Sequence, residues 1–158
     1  MNSPERIQSM GVGQHRLGVG GRIDRRVPVR FYFNGKPYQA YEGDTLASAL
    51  LANGVKVVGR SFKYHRPRGV FSAGIEECNA IVQVGQVPDV EPNVRATMMP
   101  IREGLEAYSQ SCWPSVNWDV FAVFGLFSRF LPPGFYYKTF KWPSWKSYES
   151  MIRRTAGM

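Results

Sequence analysis

A chain of 158 residues, 44% hydrophobic and 20% charged, has room for one ordinary domain with an appended arm and is not a disordered polymer. Its two cysteines, Cys78 and Cys112, are too few for a secreted disulfide scaffold and lack a Cys-x2-Cys partner, so two reduced thiols in a cytoplasmic protein are expected. A net charge of +8 admits nucleic acid, an anionic membrane or an acidic protein face as partner without choosing among them.

Residues 1–26 read as a polar, mobile leader, or an arm that orders on a partner, with no apolar core resembling a signal peptide. Its glycine clusters, Gly11-Val12-Gly13 and Gly18-Val19-Gly20-Gly21, have no strand before them and no helix after, which excludes a dinucleotide-binding loop. Residues 27–108 form the expected domain. Val29-Arg30-Phe31-Tyr32-Phe33 alternates as a half-buried strand does, Asn34-Gly35 is the preferred type I′ hairpin turn, and Lys36 to Tyr41 returns. Pro37 near its start points to an edge position or to a strand that pairs late. Asp44 is placed to cap a helix over Thr45 to Ala52, whose Leu46, Ala49 and Leu50 share one face with Leu51 beside them, and Asn53-Gly54 stops it. Strands are then expected at Val55 to Val58, Ala80 to Val84, Asn93 to Met98 and Leu105 to Tyr108. Hairpin, capped helix and further strands are the order of an α+β, β-grasp fold, the helix burying its leucine stripe on a mixed sheet.

Between the helix and the later strands lies a basic loop with Lys56, Arg60, Lys63, Arg66 and Arg68, interleaved with Phe62, Tyr64 and Phe71, and with no acid between Thr45 and Ile75. Cations beside stacking platforms fit a nucleic-acid-binding module, and equally a solvated loop. A plant-type [2Fe–2S] ferredoxin would continue with Cys-x4-Cys-x2-Cys and a later fourth cysteine. Here the corresponding residues are Ser72, Glu77, Ala80 and Thr97. A cluster needs thiolates, so the frame is that of a 2Fe-2S ferredoxin-like domain whose ligands are missing, and no metal is expected. Cys78 is displaced by one residue and would face the wrong way on an extended segment. An electron-transfer subunit carrying an iron-sulfur cluster remains the alternative, and would need Cys78 with unusual ligands.

Two long runs, Tyr41-Glu42-Gly43-Asp44-Thr45-Leu46-Ala47-Ser48-Ala49-Leu50 and Gly59-Arg60-Ser61-Phe62-Lys63-Tyr64-His65-Arg66-Pro67-Arg68-Gly69, resemble the alpha subunit of heterotetrameric sarcosine oxidase. So do Gly20 to Arg25, Glu91 to Thr97, Leu131 to Phe140 and Ile152-Arg153-Arg154. The resemblance implies the N-terminal module of a much longer flavoprotein subunit, either split off or excised. FAD, FMN and NAD are implied in the assembled complex and none bound by this chain alone. The implied partners are the remainder of alpha and the beta, gamma and delta subunits, and the implied substrate is an N-methyl amino acid such as sarcosine or dimethylglycine. The resemblance also implies that the loop, through Arg60, Lys63, Tyr64, His65, Arg66 and Arg68, docks on a partner or cofactor, in place of nucleic acid.

No catalytic residue is expected. His65 has no legible Ser-His-Asp or Cys-His arrangement around it, and Glu76-Glu77 read as counter-charges of the basic loop, worth little if exposed. Residues 109–158 hold thirteen of the chain's 22 aromatic residues. The apolar stretch from Val116 to Leu131 contains Asn117, Asp119 and Arg129, and is too short and charged to span a bilayer. A helical spacing through Val120, Phe124, Phe127 and Leu131 ends at Pro132-Pro133-Gly134. A domain of this size cannot cover such a surface, so an interface arm is expected, built on Trp118, Phe121, Phe124, Phe127, Tyr136, Tyr137, Phe140 and Trp142.

Overall fold

The computed structural model describes residues 15–86, 88–127, 130, 144 and 146–149. Strand β1 spans Asp24–Phe33, beginning inside the segment read as leader. The period of two along it sends Val29, Phe31 and Phe33 to one buried face. Asn34 and Gly35 both hold positive φ, 52° and 73°, as a type I′ turn requires. Asn34 is fixed further by an exchange with Ser109: its Nδ2 donates to Oγ and its Oδ1 accepts from the amide, both at 2.8 Å. Strand β2, Lys36–Glu42, returns antiparallel to β1.

Helix α1 covers Leu46–Ala52. Its cap is Thr45, not the expected Asp44. Thr45 Oγ1 accepts from the Ser48 amide while Ser48 Oγ accepts from the Thr45 amide, a reciprocal capping box. Asp44 is instead a buried junction. Its carboxylate accepts from the Tyr41 amide at 3.0 Å, Ser48 Oγ at 2.7 Å and both terminal nitrogens of Arg16 at 3.1 and 2.7 Å. Burial pushes its pKa up, but Arg16, Ser48 and the Tyr41 amide outweigh this and hold it below the ordinary carboxylate value. Arg16 thereby ties the chain ahead of β1 to the helix. Leu46, Ala47, Ala49, Leu50 and Ala52 are buried, whereas Leu51 stays exposed at the edge of the stripe.

The expected strand over Val55–Val58 does not form. Val58 is apolar because it is fully buried in the core beneath α1, not because it pairs in the main sheet. A small ribbon follows, β3 at Gly59–Arg60 against β4 at Pro67–Arg68, and the Val58 amide joins its end by donating a hydrogen bond to the Arg68 carbonyl. Strands β5 (Ile81–Val84), β6 (Glu91–Arg95) and β7 (Leu105–Ser109) complete the main sheet; the β6 segment turns away at Ala96, short of the expected Met98. The order is β2-β1-β7-β5-β6, with β7 parallel to β1 and the other pairs antiparallel. This is the β-grasp arrangement, and β2 is an outer strand, where Pro37 costs no ladder bond. The core lies between α1 and the sheet, centred on Phe31, Phe33, Leu46, Leu50 and Val82.

Gly69, just after β4, has no room for a side chain, because a Cβ there would run into the Lys56 carbonyl oxygen. Gly69→Ala should therefore destabilise the ribbon by roughly 1–3 kcal/mol through forced backbone movement. Thermal unfolding checks this, and an unchanged midpoint would contradict the close approach.

Candidate functional site

The basic loop folds as a turn across the ribbon β3–β4. The Ser61 amide donates to the Arg66 carbonyl, the His65 amide to the Ser61 carbonyl, and the Arg66 amide to Ser61 Oγ, with His65 at φ 52°. The six predicted docking residues are divided by this turn. Lys63 and Arg66 both lie over the Tyr64 ring, 4.9 and 4.8 Å from its centroid, and Arg68 reaches the Cys78 carbonyl at 3.4 Å. Arg60 and His65 turn inward. Arg60 donates through Nε to the Val116 carbonyl at 2.8 Å and through a terminal nitrogen to the His65 carbonyl at 2.7 Å.

Both inward residues converge on Asp119, whose side chain is fully buried. His65 Nδ1 lies 2.8 Å and Arg60 Nε 3.6 Å from Asp119 Oδ2, while Oδ1 accepts from the amides of Trp113 and Phe121 at 3.1 Å. Asp119 thus caps the 3-10 turn Val120–Ala122, which leads into α2, Val123–Leu126. The Phe121 ring sits 5.4 Å from the His65 ring, and Gly125 faces the Tyr64 carbonyl so closely that a Cβ would lie 3.2 Å from it. The start of the aromatic arm is therefore held on the chain's own basic loop. Cys112 lies near the same charges: burial, then Asp119, push its thiol pKa up, against a smaller opposing effect of Arg60. Sequence reasoning gave Asp119 no role. Its only signal was that it is the sole carboxylate between Ser109 and Tyr148. Trp118, Phe121 and Phe127 are exposed; Tyr136, Tyr137, Phe140 and Trp142, and the side chain of Phe124, lie outside the described residues.

The four degenerate ligand positions are brought together by the loop after β4. Glu77 is buried, unlike its exposed neighbour Glu76, which corrects the reading of the pair as surface counter-charges. Its Oε2 accepts from the amides of Phe71 and Ser72 at 2.7 and 2.8 Å, and its Oε1 from those of Asn79 and Ala80 at 2.6 and 3.0 Å. Burial works to raise its pKa, but four amide donors more than offset this and hold it down at about 2. Thr97 Oγ1 donates to the Gly74 carbonyl at 2.7 Å, Arg95 Nε to the Glu77 carbonyl at 3.1 Å, and Ser72 Oγ is buried without a partner. The outer surface of the loop carries Phe71, 77% exposed, and Ile75, 70% exposed.

A family model described as "2Fe-2S iron-sulfur cluster binding domain" matches residues 26–112. The chain belongs to this family. It is 58% identical over 150 residues to "Sarcosine oxidase subunit alpha" of Rhizobium meliloti (strain 1021), covering 93% of this chain and 15% of that protein. It is 38% identical over 110 residues to the protein so named in Corynebacterium sp. (strain U-96), covering 68% of this chain and 11% of that one. The chain thus spans only a small part of the length of these relatives. A solved structure, "Crystal structure of L-proline dehydrogenase from P.horikoshii", is also similar, with TM-score 0.45 and 29% identity over 58% of this chain and 16% of that one.

The family's cluster does not suit the residues at the four positions. Ala80 offers no donor atom, both Glu77 oxygens are taken by amides, and the Thr97 hydroxyl is turned to a carbonyl. Thiolates are what the iron of such a cluster requires, and Cys78, on the exposed side of the loop, is not among the four. Among the described residues no helix is long and apolar enough to cross a membrane.

Proposed function

We propose that this chain is a non-catalytic assembly module of a sarcosine-oxidase-like flavoprotein complex that oxidises N-methyl amino acids. In this reading residues 27–108 are the module, 109–158 a docking arm and 1–26 a leader. The face formed by Lys63, Tyr64, Arg66 and Arg68 meets the flavin-bearing part of alpha or another subunit, and FAD, FMN and NAD belong to the assembly. The observation that carries it is the contrast inside one loop. It presents exposed Phe62, Arg66 and Phe71, while all four redox-ligand positions hold residues unsuited to iron. Sarcosine oxidase alpha subunits align along most of the chain, which supplies the choice of complex.

Affinity capture of the tagged chain from its own cells, with mass spectrometry and a flavin spectrum of the eluate, tests the proposal. Flavoprotein subunits with bound flavin are expected. A colourless, solitary chain would overturn it.

A further inference from the structure

Three residues in the Cys-x4-Cys-x2-Cys spacing can share one cluster only if the first, sixth and ninth positions of the segment converge. Here they do: the amides of the first, Ser72, and the ninth, Ala80, both donate to the carboxylate of the sixth, Glu77. The neighbouring amides of Phe71 and Asn79 close the cage. Thr97, the fourth position, is tied into the loop through Gly74.

We infer that the Glu77 carboxylate is a built-in anion filling the amide cage that an iron–sulfur cluster would fill in a ligand-bearing member of the family, and that it holds the amides of that cage in place. Inward-pointing N–H groups demand negative charge, since four unpaired buried donors would be costly. An anionic cluster supplies that charge from outside the chain. A carboxylate with two acceptor oxygens supplies it from within, and bonds to a charged acceptor are the stronger kind. A hard cation is no alternative occupant, because the donors around Glu77 would repel it. The loop's outer face, with Phe71, Ile75 and Arg68, is thereby held as a fixed surface without iron. The value of that surface for docking rests on the assembly reading; the cage does not.

The test uses amide hydrogen exchange on the full chain. Glu77→Gln keeps the shape but turns an amide NH2 toward backbone donors. Exchange at Phe71, Ser72, Asn79 and Ala80 is expected to quicken about 10- to 100-fold while β1 and β7 are unaffected. Unchanged exchange at those four amides would overturn the inference. Wild-type chain treated anaerobically with iron and sulfide covers the case in which the variant fails to fold. No visible cluster absorption is expected, and stoichiometric uptake of iron and sulfide would overturn the inference. Neither readout involves a partner, so failure of the flavoprotein capture would leave both intact.

Discussion

Asp119→Ala is expected to destabilise the folded chain by about 3–5 kcal/mol, because it strands charge and donors that Asp119 now satisfies. Arg60 is nearly buried and anchored by two carbonyls, so its guanidinium cannot swing to water when its partner goes. The amides of Trp113 and Phe121 lose their acceptor in the same step, and His65 loses the group facing Nδ1. Asp119→Asn keeps an oxygen for the two amides and removes only the charge, so a smaller loss of about 1–3 kcal/mol is expected. Denaturant unfolding of both variants checks the order. If alanine costs less than asparagine, or neither shifts the midpoint, the cluster does not hold the arm. Hydrogen exchange should show the damage concentrated between Trp113 and Leu126, since contacts with Arg60, Tyr64 and His65 fix that segment.

The parts of this fold that sequence patterning made visible are those decided locally. Alternation over Val29 to Phe33 followed by Asn34-Gly35 specifies a hairpin, because the turn demands positive φ at two adjacent residues and Asn and Gly tolerate it. The leucine face of α1 follows from helical periodicity alone. Asp44 and Thr45 are both good cap formers, so residue type does not choose between them. Arg16, 28 residues upstream, with the Tyr41 amide and Ser48 Oγ, engages Asp44 in another task. The apolar run Val55 to Val58 has the composition of a strand, and periodicity cannot tell a strand from a coil segment that buries one valine.

The site was less legible, for a related reason. Spacing located Ser72, Glu77, Ala80 and Thr97 as one group but said nothing of what their side chains do once thiols are gone. That Glu77 points inward depends on four amides turning toward it, a property of backbone geometry that residue types do not encode. The Asp119 cluster is worse placed for sequence reading still, since His65 and Asp119 are 54 residues apart and no motif links them. Across that gap the sequence shows the basic loop and the aromatic arm as separate surfaces. Their contact turns Arg60 and His65, two of the six loop residues, inward to Asp119.

Acid should expose the second large effect. A carboxyl group whose folded pKa lies below its unfolded value stabilises the fold at pH above the unfolded value, and that stabilisation is lost as pH falls through the folded one. Glu77, held at about 2 against an ordinary 4.5, therefore contributes fully at neutral pH, and its contribution should decline between those two values. Asp44 is lowered as well, so it adds to the slope in the same direction. Asp24 is also lowered, by its hydrogen bonds with Arg26, but that pair lies in solvent and should add little. Unfolding free energy measured in urea across this range should fall by up to about 1.4 kcal/mol per pH unit for each fully titrating group. Glu77→Gln cannot titrate, so the variant should begin less stable at neutral pH and lose less on acidification, bringing the two curves together near pH 2. Parallel curves for wild type and Glu77→Gln would mean that the carboxylate is not held by its four amides. Asp44→Asn should remove a further part of the slope, and Arg16→Ala a share of that part, because Arg16 provides two of the bonds that keep Asp44 ionised.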